Sequence, residues 1–361
     1  MIALLVGSQH SLPARLPAQP VSGARTTSRP VASRRHLTAW ISLIGTSPPQ
    51  LAFLDCSLPN RSILYTNDQD GEIQMAFLLA RGAKNVVTEV QRWQYFLRRQ
   101  GLDQVGAIDG DFGMNTEVAS KFFQVKAGLP PSGKLDDKTL TRAQAMGYSV
   151  LPDDHYQKLV AKGGPAKPTN LQSPSDKSRE KDFGCFKFTQ LPLAQRPRAE
   201  SIVIKGSCDG SAADWVAENV VTFDMPQLKF AVGYHGKFRC HKAAESVFRK
   251  VFAAWEEADL LHLVISYAGF FLPRYKFGKA PPGAGGHGPK SSKDVSDLSN
   301  HSFGSAFDIN ATQNWIGDTP ADWGAKGCVR ELVAIANKHN IYWGGHFTQP
   351  KDGMHFEISA L

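Results

Sequence analysis

The sequence is short of cysteine, of early acidic residues and of long apolar runs, and each shortage closes off a class of protein. Five cysteines stand in 361 residues: Cys56, Cys185, Cys208, Cys240 and Cys328. No two have the C-x-x-C spacing of a structural zinc site or a redox motif. Their scatter and odd number argue against a disulfide scaffold, and they read as buried thiols. No run approaches the roughly 20 apolar residues that a membrane-spanning helix needs, so no transmembrane segment is expected. Ile2–Val6 is too short for a signal-peptide core and has no basic residue before it. No Gly-x-Ser-x-Gly elbow and no Cys-His pairing supplies an activated nucleophile.

Acidic residues are missing until Asp55, while Arg15, Arg25, Arg29, Arg34 and Arg35 sit among Ser, Pro and Ala. Residues 1–84 are therefore expected to be a disordered basic extension, or upstream sequence ahead of a natural start at Met75. The whole chain carries a formal charge of +8, which points to an anionic partner. Nucleic acid and an anionic bacterial envelope both satisfy charge alone.

Order is expected from Asn85. Val86, Val90, Trp93 and Leu97 mark one face of a helix. Two similar units follow. Gly110-Asp111-Phe112-Gly113 leads to Thr116 and a helix with Val118, Phe122 and Val125 on one face. Gly133-Lys134-Leu135-Asp136 leads to Thr139 and a helix with Leu140 and Ala143. In both, glycine precedes threonine by six residues, the mark of a duplicated turn-plus-helix. Gly128 with Pro130 and Pro131 closes the middle helix. Residues 85–148 thus form a small three-helix domain. Residues 149–182 read as a linker, since the Gly, Pro, Lys and Ser of its later part show no periodicity.

Residues 183–361 read as an α+β domain, because helices alternate irregularly with short strands. His241–Leu261 has an amphipathic helical pattern through Ala244, Phe248, Val251, Trp255 and Ala258. Lys326–Lys338 gives another helix. Leu261–Tyr267, Ala306–Ile309 and Met354–Ile358 look like strands. Gly283–Gly288 spells G-x-G-x-x-G but follows two prolines and opens no helix, so a dinucleotide site fails its context. Gly278–Asp297 is expected to be a flexible flap beside a cleft. His287, His339 and His346 are expected on the surface.

Three places in this domain can build a metal-dependent site. The first runs from Ser299 to Asp308. Seven extended residues would span roughly 23 to 25 Å, so His301 and Asp308 can meet only if the chain folds back, most easily at Gly304. The second is Asp352-Gly353-Met354-His355-Phe356-Glu357, where alternation puts Met354, Phe356 and Ile358 on one face and His355 with Glu357 on the other. His301, Asp308 and His355 would supply two imidazoles and a carboxylate, leaving a fourth position for water. Asp352 is placed to take a proton from that water. The third is Tyr267–Arg274, where Arg274 could steady an oxyanion. Glu357 fits a partner that orients a ligand.

Residues 86–148 resemble the peptidoglycan-binding domain attached to many wall hydrolases, through Val105–Gly113, Thr116 and Phe122-Phe123-Gln124. The pattern S-x-H-x-x-G-x-A-x-D from Ser299 to Asp308, then Trp343-Gly344-Gly345, then D-x-M-H-F-E from Asp352, resembles the zinc D-Ala-D-Ala carboxypeptidase group. That group includes vancomycin-resistance dipeptidases and phage L-alanyl-D-glutamate endopeptidases. The dipeptidases have glutamate where this chain has Asp352, so the pattern leans toward the endopeptidases. The resemblance implies zinc held by His301, Asp308 and His355, Asp352 as general base, Arg274 as electrophilic helper, and bacterial peptidoglycan as partner. It implies a monomeric enzyme reaching the wall after lysis or by an unrecognised export route. D-Ala-D-Ala carboxypeptidase activity is the alternative, and a non-catalytic wall-binding protein is the alternative of another class. A nucleic-acid partner would rest on charge alone and is not expected.

Overall fold

The computed structural model describes residues 63–67, 73–152, 154–191, 201–208, 214–277 and 296–361. The chain divides into two units, residues 1–50 and 51–361, and the first lies outside the described residues. Strands β1 (Ile63–Asn67) and β2 (Ile73–Phe77) pair antiparallel, within the stretch expected to be unstructured.

Helix α1 (Val87–Arg99) is buried without a break from Thr88 to Leu97. A helix buried all round must be packed on more than one side, and α1 is. Val90, Trp93 and Leu97 face the module's own core with Phe112, Phe123 and Leu135. Leu79, upstream of the expected boundary, joins that core and exchanges backbone hydrogen bonds with Leu135. Helices α2 (Met114–Lys126) and α3 (Asp137–Gln144) complete the three-helix module. On α2 the core face is Ala119 and Phe123, whereas Phe122 and Val125 are 50% and 62% exposed. The buried face also takes Ser120, which accepts from the Trp93 indole at 2.9 Å, so the polar positions hide the apolar period.

The internal duplication has a physical basis. Gln94 accepts from Gly110 N at 2.9 Å and donates to Asp111 O and Thr116 Oγ1. Gln124 accepts from Gly133 N at 2.8 Å and donates to Lys134 O and Thr139 Oγ1. Each glutamine satisfies the backbone of one turn and locks it to the following helix.

Residues 149–182, expected as a linker, carry α4 (His155–Ala161) and α5 (Asp176–Phe183) and run as a strap over the second domain. His155 bonds Glu331 at 2.9 Å, Trp323 donates to Gly163 O at 2.8 Å, and Ser359 donates to Gln172 O at 2.6 Å. His346, expected at the surface, is half-buried with Nε2 at 2.9 Å from Pro165 O. Helix α1 also touches the second domain directly. Arg92 reaches Asp259 Oδ2 at 3.0 Å and Ser149 Oγ at 2.8 Å, and Tyr95 packs edge-on against Phe230.

The second domain opens with the hairpin β3 (Phe186–Gln190) and β4 (Ile202–Ser207). Cys185 and Cys208 flank it and form a disulfide with Cα atoms 5.4 Å apart. This corrects the expectation of free thiols: antiparallel pairing brings together two cysteines whose separation of 23 residues carries no motif. Cys240 and Cys328 are buried free thiols, as expected. Helix α6 (Trp215–Asn219) leads into the hairpin β5 (Val220–Phe223) and β6 (Phe238–His241).

Helix α7 (Lys242–Glu257) buries Ala244, Phe248, Val251 and Trp255, as its periodicity predicts. It packs on a four-stranded antiparallel sheet of order β7-β8-β10-β9, with β7 (Tyr267–Gly269), β8 (Ala306–Ile309), β9 (Ile341–Trp343) and β10 (His355–Ile358). Phe307 and Phe356 stack 5.4 Å apart beneath α7. Helix α8 (Arg330–Lys338) is tied on by the Trp255 indole, which donates to Leu332 O at 3.0 Å. The strand expected over Leu261–Tyr267 is instead a 3-10 turn at Leu261–Leu263, with β7 beginning at Tyr267. Among the described residues no helix is long and apolar enough to cross a membrane.

Candidate metal centre

Strands β8 and β10 set the first two ligating groups. Their register pairs Asp308 with His355 and Phe307 with Phe356. Directly opposed residues on one sheet face have Cβ atoms roughly 5 Å apart. While the phenylalanines face α7, the carboxylate and imidazole emerge together on the other side.

His301 arrives from a separate element, the 3-10 helix Asn300–Phe303. Ser299 caps it, accepting from His301 N at 3.4 Å, and Gly304 ends it in the left-handed region at φ 64°. A Cβ on Gly304 would collide with His241 N and lie 2.9 Å from the Cys240 carbonyl carbon. The turn that folds His301 back toward Asp308 is thus restricted to glycine on two grounds, conformation and space.

The three donors converge. His301 Nε2 lies 3.0 Å from Asp308 Oδ1 and 3.1 Å from His355 Nδ1, and His355 Nδ1 lies 3.0 Å from Asp308 Oδ1. Outer hydrogen bonds orient both rings. His301 Nδ1 donates to Phe270 O at 3.0 Å, and His355 Nε2 donates to Glu357 Oε2 at 2.9 Å. With the outer nitrogens donating, both inner nitrogens are turned toward the carboxylate oxygen. Three electron-rich atoms turned on one another call for a cation between them. Ligands about 2.0–2.1 Å from a tetrahedral zinc stand roughly 3.3 Å apart, close to the spacing here. The residues fit a metal ion of that kind.

The electrostatics point the same way. Burial alone would depress His355, but Asp308 and Glu357 outweigh it and hold its pKa up at about 10. Burial keeps His301 below its ordinary value. Burial also works to raise Asp308, yet the two imidazoles hold it well below the usual carboxylate range. One positive charge at the centre of this group is strongly favoured.

A cavity of about 320 Å³ opens on the His355 side, lined among others by Arg274, Ser299, Asn300, Asp352 and Glu357. Asp352 is buried, and its Oδ1 has no hydrogen-bond partner. Burial pushes its pKa up to about 6, with His355 pulling the other way. Its loop lies against Gly344, where a Cβ would stand 2.5 Å from Asp352 O, and Trp343 donates to Gly353 O at 2.8 Å. Trp343-Gly344-Gly345 therefore supports the loop that presents Asp352. Arg274 places Nη2 3.2 Å from Asp308 Oδ2, and its backbone is clipped in both directions by Ser302 Oγ at 2.8 Å.

All seven residues singled out from the sequence lie in or around this site. Residues the sequence did not single out also contribute. Asn300 donates to Glu357 Oε2 and accepts from the buried Arg179 at 3.1 Å. The Phe270 carbonyl, a backbone group with no side-chain signature, sets the His301 tautomer. Residues 278–295 of the expected flap lie outside the described residues.

Residues 293–358 match the family model described as D-alanyl-D-alanine carboxypeptidase. Residues 87–142 match a model described as a putative peptidoglycan binding domain. No curated protein and no solved structure matches the chain. The carboxypeptidase-type match takes in His301, Asp308, Asp352, His355 and Glu357 and begins after Arg274. The chain is therefore a modular protein, with a helical module of peptidoglycan-binding type ahead of a mixed α and β domain of peptidase type.

Proposed function

We propose that the chain is a zinc-dependent peptidoglycan peptidase that cuts the stem peptide at an L-alanyl-D-glutamate-type bond. The reading is carried by one arrangement: three lone-pair donors converge beside a buried, unpartnered carboxylate at a cavity. His301, Asp308 and His355 would hold the ion. When bound, zinc supplies a Lewis acid that polarises a carbonyl and acidifies water.

The protein's own groups perform the rest. Asp352 Oδ1 takes a proton near neutral pH, where a base with a pKa of about 6 is well matched, and returns it to the leaving amine. Arg274 donates to the developing oxyanion from the cavity wall. Glu357 and Ser299 hold His355 and His301 in place. The N-terminal module binds peptidoglycan and keeps the site at the polymer. The enzyme acts at the wall, and the Cys185–Cys208 disulfide suits an oxidising surrounding.

D-Ala-D-Ala carboxypeptidase activity is the second reading, favoured by the description of the matching family model. Mass spectrometry of fragments released from purified peptidoglycan tests both, with and without a chelator and beside Asp352→Ala. New peptide termini that vanish with chelator and with the variant identify the bond. Intact stems in the presence of bound zinc would refute the peptidase and leave a wall-binding protein.

A further inference from the structure

The cavity beside the metal centre has two unlike walls. Ile316, Phe347 and Pro350 make an apolar one, and Arg274 with Lys276 makes a cationic one. The cationic wall is built by alternation. Arg274 is clipped at Ser302, Tyr275 turns into the core and bridges to Leu298, and Lys276 N donates to Asp297 O at 2.8 Å. Residues two apart in such an extended run project from the same side, so the two cations stand side by side.

They are differently committed. Arg274 is engaged by Asp308 at 3.2 Å. Lys276 Nζ donates to Ser296 O at 2.7 Å, which uses one of the three donors of an ammonium. Lys276 is an exposed residue, yet partial desolvation at the cavity wall, then the neighbouring Arg179 charge, lowers its pKa, and the carboxylates of Asp176, Glu357 and Asp297 do not outweigh them. A further anion at this point would be favourable.

Both readings of the function share one chemical feature at this place. In an L-alanyl-γ-D-glutamyl bond and in a terminal D-Ala-D-Ala bond alike, the residue that leaves as the amine bears a free α-carboxylate. We infer that Lys276 is a specificity residue that binds the α-carboxylate of the leaving residue, while the apolar wall takes small alkyl groups. The inference rests on the peptidase reading and deepens it.

The test uses the full-length zinc-loaded enzyme and two pairs of synthetic stem peptides, one pair for each candidate bond. Within a pair the peptides differ only in a free carboxylate or a primary amide on the leaving residue. The wild type should prefer the carboxylate by on the order of tenfold in kcat/KM, mainly through KM, as fits one charge-assisted contact. Lys276→Met should bring that ratio to within about twofold of unity, and Lys276→Arg should restore it. Lys276→Gln serves as a second neutral variant should the methionine fail to fold. A ratio unchanged in the neutral variants overturns the inference, since the carboxylate is then read elsewhere. Equal cleavage of both peptides by the wild type overturns it too while leaving the peptidase standing. Cleavage of neither pair would sink the peptidase reading and this inference with it.

Discussion

Asp352→Asn should gain stability relative to the wild type as pH rises from 4 to 7.5 in the metal-free protein, while abolishing peptidase activity. Asp352 is buried with an unpartnered oxygen, and its pKa rises from 3.8 to about 6. A raised carboxyl pKa means the folded state keeps its proton longer than the unfolded chain does. The associated stability is fully present below about pH 4 and is lost as pH rises through about 6. A rise of that size corresponds to about 3 kcal/mol between those limits. Asparagine cannot ionise and escapes that loss. Any cost of placing its amide is independent of pH, so it cancels when the variant-minus-wild-type difference is compared across pH. Thermal unfolding with chelator present should therefore show a difference near its baseline at pH 4. By pH 7.5 it should have moved about 5 °C in the variant's favour, taking roughly 2 °C per kcal/mol for a chain of this size. Adding zinc should shrink the gap, because a nearby divalent cation stabilises the ionised carboxylate. A difference that stays flat between pH 4 and pH 7.5 would refute the reasoning.

Glu357→Gln weakens the hold on His355 Nε2, so zinc affinity, read by competition with a chromophoric chelator, should fall about 10- to 100-fold; an unchanged affinity would remove Glu357 from the metal centre. Gln124→Ala strips partners from Gly133 N, Lys134 O and Thr139 and should cost about 2–3 kcal/mol of stability, seen as a lower denaturation midpoint. Replacing Cys185 and Cys208 by serine opens a loop with a separation of 23 residues and should cost about 3 kcal/mol by chain entropy; an equal midpoint for the wild type with and without reductant would count against the bridge.

The parts of the site that are legible in the sequence are those in which one short segment carries the whole signal. His301, Gly304 and Asp308 stand within eight consecutive residues, and Asp352, His355 and Glu357 within six. Strand alternation then predicts which side chains share a face, and the observed register of Asp308 with His355 agrees. What cannot be read depends on distant segments meeting. The Phe270 carbonyl that orients His301 is 31 residues away, and Arg179 reaches Asn300 across 121. The disulfide belongs to the same class, since hairpin register pairs its cysteines. Phe122 departs from its expected face for a different reason: Thr116, Ser120 and Gln124 on the buried face of α2 are satisfied there by hydrogen bonds. Buried polar positions of that kind blur an apolar period.

The segment between the two modules changes how they can cooperate. A flexible linker would act only through effective concentration, leaving the peptidase free to sample any bond within reach. Here the strap is fastened along the second domain through His155, Gly163, Pro165 and Gln172. Helix α1 adds the Arg92–Asp259 ion pair, in which the guanidinium is buried, and the Tyr95–Phe230 contact. Asp259 stays partly exposed, but undocking would strip the buried Arg92 guanidinium of its partner, and these contacts favour the docked arrangement. On the proposed wall-binding role, a docked module would place the cavity at a preferred distance and angle from the point of binding. On the peptidase reading, geometry would then join the chemistry of the cavity in selecting the bond presented to Asp352.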